Sequence, residues 1–218
     1  MSITSIVSYD GTATDRDALS LGRTFAELGA TTVLAYVSHN PKLNQGQELL
    51  DRGAAELKGA STRLVSDPST SKGLKSLVEA EHADLIVFGS DYRTPRGRVS
   101  FQKTAGQLLD GGNAALAIAP ADYTPRKIQT IGLIAELTDH AAIDTAHALA
   151  QHHGATVTDK VTGVDLLVFG SRAEATPGRV LLSSRNEITI EEEASAPVLV
   201  VARDTALNFS PEPELYVA

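Results

Sequence analysis

The stretch Asp84-Leu85-Ile86-Val87-Phe88-Gly89-Ser90 returns 81 residues later as Asp165-Leu166-Leu167-Val168-Phe169-Gly170-Ser171, with six of seven positions identical. Gly97-Arg98-Val99 returns at the same offset as Gly178-Arg179-Val180. A long-range repeat of this kind means that one supersecondary unit is used twice. Each copy is an apolar run that ends in a Gly-Ser loop. In an open parallel sheet, ligands bind at the loops that follow the strands. The repeat therefore constrains both the fold and the place to look for a site.

The chain between the repeats alternates strand and helix signals. Ser5 to Tyr9 reads as a buried strand that ends at the turn Asp10-Gly11-Thr12. Ala18, Leu21, Gly22, Phe25 and Leu28 then follow at helical spacing, with Thr14 and Asp17 as a capping box and Gly29 as a stop. Thr31 to Val37 is β-branched and predicts a second strand. Helical patterns follow over Gln45 to Arg63 and Ser71 to His82, with a short strand at Arg63-Leu64-Val65 and a break at Asp67-Pro68-Ser69. Asp84 to Phe88 is apolar on both faces, as a central parallel strand is. A helix over Lys103 to Leu109, a Gly111-Gly112 stop and a strand over Ala114 to Ala119 complete the first copy.

After a linker at 120–127, the second copy predicts a strand from Ile128 to Ala135 and a helix from Thr138 to His152. Only 10 residues then lead from Ala155 to Asp165, where 54 lead from Ala30 to Asp84. The second copy is therefore abridged, with Ala155 to Asp159 feeding directly into Val164 to Phe169. Leu181 to Ala194 should hold a helix, which Ile188-Thr189-Ile190 weakens. Pro197 to Ala202 is the closing strand. The expected class is α/β: two lobes with doubly wound parallel sheets, at 1–123 and 124–203, and an extended tail at 204–218.

Composition narrows the function. The chain has no Cys, which removes disulfides, thiol catalysis and Cys-ligated zinc. A net charge of −8 argues against non-specific nucleic-acid binding, which needs basic side chains on phosphates. No apolar run approaches the roughly 20 residues of a membrane span, and the first residues carry no basic and apolar leader. The expectation is a cytoplasmic protein with neither a membrane nor a nucleic-acid partner. No G-x-S-x-G elbow, Walker loop or dinucleotide fingerprint is present, so no catalytic residue is assigned and an enzyme is not expected. His140, Asp144 and His147 share one helix face, but Ala142, Ile143, Ala146, Leu149 and Ala150 define the buried face, so no metal site is expected. His152-His153 suits a helix C-terminus, and Glu191-Glu192-Glu193 reads as a solvated helix end. Arg93, Arg96, Arg98 and Lys103 form a cationic loop without an acid among them. This is either an anion site or a solvated surface.

Three motifs in order carry a resemblance: the strand that enters Asp10-Gly11-Thr12, the run Ala83-Asp84-Leu85-Ile86-Val87-Phe88-Gly89-Ser90, and the closing Ser195-Ala196-Pro197-Val198-Leu199-Val200-Val201. The chain resembles the universal stress protein family over about 3–120 and, more weakly, 128–203. The resemblance implies that the two closing strands meet antiparallel in a pseudo-dimer. It also implies ligand-binding positions at Asp10, Val37, Gly89 and Ser90. ATP-binding members carry a loop of form G-x2-G-x9-G-[ST], whose glycines bring backbone N–H groups to phosphates. Here the first glycine is Gly89, but Tyr92 stands at the second and Gln102-Lys103 at the final pair. In the second copy these positions are Gly170, Ala173 and Ser183-Ser184, and Ala135 replaces Asp10.

The expectation is therefore a non-enzymatic stress-response protein with no cofactor, ATP being disfavoured. It would work through protein partners or a further homodimer. The alternative is a sensor of a nucleotide or small anionic ligand, with Asp10, Val37, Gly89, Ser90, Arg93, Arg98 and Lys103 around it.

Overall fold

Apolar runs bounded by glycine and Asx turns become strands, and the amphipathic segments between them become the helices that cover the sheet. The computed structural model describes residues 3–12, 14–39 and 45–209. Its elements are β1 (Thr4–Ser8), α1 (Asp15–Glu27), β2 (Thr31–Ser38), α2 (Gln45–Glu56), β3 (Ser61–Ser66), α3 (Thr70–Glu81), β4 (Leu85–Gly89), α4 (Lys103–Leu109), β5 (Asp110–Gly112) and β6 (Ala115–Ala119). The second half follows with β7 (Thr130–Ile134), α5 (His140–His153), β8 (Thr156–Thr158), β9 (Leu166–Phe169), β10 (Val180–Leu181), α6 (Ser184–Glu193) and β11 (Val198–Val200).

Nine strands form one sheet in the order β3-β2-β1-β4-β6-β11-β9-β7-β8. All neighbours are parallel except β6 and β11, which pair antiparallel with Leu199 opposite Ala117. The chain halves thus meet edge to edge at their closing strands, as the resemblance implies. The two halves share the order of their common strands, and the second has no counterpart of β3, α2 or α3 among the described residues.

Two apolar cores lie on the two faces of the sheet. Phe25 and Leu21 of α1, Leu50 of α2 and Leu149 of α5 fill one. Leu74 of α3, Leu108 of α4 and Ile190 of α6 fill the other. Where the second half is short, the 159–164 loop covers β7 instead of a helix. It approaches so closely that a Cβ on Gly132 would lie 2.3 Å from the carbonyl of Lys160.

Four local expectations change. Thr14 is the N-cap of α1, but its side chain makes no capping bond. Asp17 instead accepts from the backbone N–H groups of Asp122 (3.0 Å) and Tyr123 (2.8 Å), and so ties the linker to α1. Gly111-Gly112 does more than stop α4, because it forms β5, which pairs antiparallel with β10 of the other half. Ile188-Thr189-Ile190 does not break α6: burial of Ile190 outweighs the weak helix propensity of β-branched residues. Of the tail expected at 204–218, residues 210–218 lie outside the described residues; through Phe209 it has no regular secondary structure, but Leu207 and Phe209 are buried, and Phe209 stacks on Phe25 at 5.7 Å.

Candidate functional site

The C-terminal ends of β1, β2 and β4 open into a cavity of about 380 Å³, lined by Asp10, Tyr36, Val37, His39, Thr70, Phe88, Gln102 and Thr104 among others. Of the candidate ligand residues, Asp10 and Val37 meet here. Val37 is buried and Asp10 is exposed. The Asp10 carboxylate accepts from the Thr12 N–H at 3.0 Å, which closes an Asx turn. His39 Nε2 lies 2.9 Å from the Thr70 hydroxyl at the start of α3.

The loop that leads into this cavity is held by Asp15, which sequence reasoning passed over. Its buried carboxylate accepts from the backbone N–H groups of Asp10 at 2.9 Å and of Gly11. Burial, and then the neighbouring Asp10 charge, push its pKa up to about 7 against the lowering pull of these N–H groups. An acid in the first helical turn just after an Asp-Gly turn was the available signal, because such a residue faces the free N–H groups of both.

The remaining candidates serve internal contacts. A Cβ on Gly89 would sit 2.2 Å from the Thr14 carbonyl, so this glycine lets the β1–α1 loop pack on the end of β4. The Ser90 hydroxyl is fully buried; it donates to the Ala119 carbonyl at 2.7 Å and accepts from the Ser100 N–H at 3.3 Å. Arg98 donates to the carbonyls of Glu191 and Glu192 at the C-terminal end of α6, where a cation suits the helix dipole. Arg93 stacks on Tyr92, itself 71% exposed, with its guanidinium carbon 4.9 Å from the ring centroid. Lys103 is exposed at the start of α4 and forms no ion pair among the described residues. The cationic loop thus divides: Arg98 clasps the other half, Arg96 lies 3.5 Å from Asp122, and Arg93 and Lys103 face solvent.

Gln102 occupies the approach to the Gly-Ser loop. Its Nε2 donates to the Gly89 carbonyl at 2.9 Å and to that of Ser90 at 3.5 Å. A side-chain amide therefore sits over the end of β4, where a glycine-rich loop would leave bare backbone.

The second half repeats the internal contacts. Ser171 donates to the Val201 carbonyl at 2.7 Å and accepts from the Leu181 N–H at 3.3 Å, the same pair of distances as at Ser90. The Gly97 N–H reaches the Ala121 carbonyl, as that of Gly178 reaches Arg203. Asp84 accepts from the Thr4 N–H, as Asp165 does from that of Thr130. Gly170 passes close to Asp139, the buried N-cap of α5, whose Oδ2 would lie 2.3 Å from an added Cβ. His140, Asp144 and His147 are exposed on α5, and no cluster of three or more metal-type ligands occurs among the described residues. Among those residues no helix is long and apolar enough to cross a membrane.

No protein-family model matches the chain, and no curated protein matches it. Solved structures do. A universal stress protein from Archaeoglobus fulgidus DSM 4304 superposes with a TM-score of 0.69 at 14% identity, covering 92% of this chain and 96% of its own. A functionally unknown protein from Pseudomonas aeruginosa PAO1 gives 0.64 at 14% identity, with 92% of each chain covered. A protein from Pseudomonas aeruginosa UCBPP-PA14, provisionally named a universal stress protein, gives 0.61 at 15% identity over 92% of this chain and 93% of its own. The chain has the universal stress protein fold.

Proposed function

We propose that this chain is a non-enzymatic stress-response protein of the universal stress type, working in the cytoplasm through protein partners and without ATP held by a glycine-rich loop. In this reading residues 1–123 and 124–203 are two copies of one domain, paired within the chain as two subunits would be, and the second has lost its ligand walls. The observation that carries it is Gln102, whose amide is hydrogen-bonded over the Gly89 and Ser90 carbonyls where phosphates would need open backbone. Support comes also from Ser90 and Arg98, both engaged within the chain.

A second reading rests on the cavity at the ends of β1, β2 and β4. At about 380 Å³ it falls within the size range of small-molecule sites, and it brings Asp10 and Val37 together. In that reading the first half senses a nucleotide or another phosphorylated ligand, with Lys103 at the rim.

Calorimetric titration with Mg-ATP separates the two. The leading reading expects no saturable heat up to millimolar ligand. Saturable binding that weakens in Asp10→Ala and Lys103→Ala would overturn it in favour of the sensor. Binding that those variants leave unchanged would place the ligand outside this cavity and overturn both readings of it.

A further inference from the structure

We propose that the surface formed by the 91–98 loop and α6 binds the same surface of a second copy of this chain. This deepens the reading through protein partners and rests on it. The surface shares no residue with the cavity at the ends of β1, β2 and β4, so it does not depend on what binds there.

Two large apolar side chains stand out of this surface. Tyr92 is 71% exposed in the loop, and Ile188 is 56% exposed on α6. Arg98 donates to the carbonyls of Glu191 and Glu192, so the loop and the C-terminal end of α6 are neighbours. Glu191 and Glu192 follow Ile188 by three and four residues, which places them on its face of the helix, and both are exposed. The loop around Tyr92 is well tied. The Asp91 N–H donates to the Ser100 carbonyl at 3.2 Å, the Thr94 N–H to the Asp91 carbonyl at 2.9 Å and the Arg93 N–H to the Asp91 carboxylate at 3.0 Å. Arg93 Nε donates to the Tyr92 hydroxyl at 2.6 Å. An aromatic and an arginine ordered in advance lose little freedom on docking, which suits them as binding hot spots.

The other half of the molecule is an internal control. Its equivalent loop has Ala173 where Tyr92 stands, and its Arg172 is paired with Glu174 at 3.1 Å. The fifth residue of α4 is Gln107, where the fifth of α6 is Ile188. Loop and helix therefore form without either apolar side chain, and a β-branched residue on an exposed helix face only lowers helix propensity. That both occur together, and on one side alone, points to a contact rather than to the needs of the fold.

Charge identifies the occupant. Arg93 and Lys103 on one side, and Glu191, Glu192 and Glu193 on the other, form no ion pair among the described residues. Two copies of net charge −8 repel, so a contact between them must set cations against acids. A two-fold axis at this surface does so. In such a self-complementary contact, Arg93 of each copy meets the Glu191 and Glu192 end of the other's α6, and Tyr92 packs on Ile188.

Sedimentation velocity of the full chain, from about 1 μM to about 1 mM, tests this. The proposal expects a reversible shift from monomer to dimer as concentration rises, weakened about tenfold in Tyr92→Ala and in Ile188→Gln. Arg93→Glu should weaken it likewise, and adding Glu192→Arg to that variant should restore it, which loss of structure would not allow. These side chains are exposed, and Arg98 holds Glu192 by its backbone carbonyl, so an unchanged thermal midpoint is expected in each variant. Gln107→Ala and Arg172→Ala, on the equivalent surface, should leave association as it is. A monomer at every concentration would overturn the proposal, as would a dimer that Tyr92→Ala and Ile188→Gln leave intact. The reading it rests on fails separately, through saturable Mg-ATP binding.

Discussion

The first half contributes five strands to the main sheet and the second four, and the second has two helices where the first has four among the described residues. Among the described residues the second half lacks counterparts of α2, β3 and α3, the last of which begins at Thr70 on the wall of the first half's cavity. What it keeps is the Asp, Gly-Ser and Gly-Arg-Val positions, and in both halves the Asp carboxylate, the Ser hydroxyl and the Gly-Arg-Val backbone make equivalent internal contacts. The loops after Ser90 and Ser171 also cross between halves: Arg98 reaches the end of α6, and β10 pairs with β5. The repeated residues therefore follow the architecture of the pair rather than the presence of a ligand pocket.

The comparison can be broken at its seams, beginning where the largest loss is expected. Phe209→Ala removes the ring by which the end of the second half stacks on α1 of the first, and should cost about 3–4 kcal/mol in denaturant unfolding. Gly89→Ala and Gly170→Ala place a methyl group at equivalent points, but against different atoms. The first meets the backbone carbonyl of Thr14 and should cost about 3 kcal/mol. The second meets the Asp139 carboxylate, a side chain that can shift, and should cost about 1–2 kcal/mol. Equal costs would show that the two loops are packed with equal rigidity.

Ser90→Ala and Ser171→Ala each remove a buried hydroxyl with one donated and one accepted bond. Each should cost about 1–2 kcal/mol, and the two should agree within about 0.5 kcal/mol if the contacts are true equivalents. A pH-dependent effect concerns Asp15, at the start of α1, where the second half has the buried N-cap Asp139 of α5. The pKa of Asp15 is raised from 3.8 to about 7, so the folded state binds the proton more tightly than the unfolded state. Its contribution to stability is full below about pH 4 and is lost as pH rises towards 7. Thermal unfolding of wild type and Asp15→Asn at pH 5 and pH 8 should therefore show the wild type gaining on the variant at the lower pH. The opposite trend would mean that the loop N–H groups outweigh burial.

Much of this architecture was legible in the sequence because its strands are strongly apolar. β4 and β6 are buried along their whole length, and the period of α1 marks its buried face correctly. The Gly111-Gly112 strand was not legible: glycine carries no strand signal, and its partner, β10, lies about 70 residues away in sequence. The docking of Phe209 was hidden for the same reason, since nothing local to the tail announces Phe25. At the upper cavity, Asp10 and Val37 could be placed from their strands. The roles of Ser90 and Arg98 could not, because their partners, Ala119 and the end of α6, are set by tertiary packing. His153 was read as a helix end, and only the fold shows that it lines a cleft together with Arg126 and Lys127 of the linker.

The central claim is that the repeated loops bind two unequal halves into one cooperative unit. Native-state hydrogen exchange, read separately for β1 and β4 and for β7, β9 and β11, tests it most directly. The account predicts that the slowest amides of both groups open at one common free energy, equal to that of global unfolding. A second half that opens at a clearly lower free energy, with the first half still protected, would contradict it.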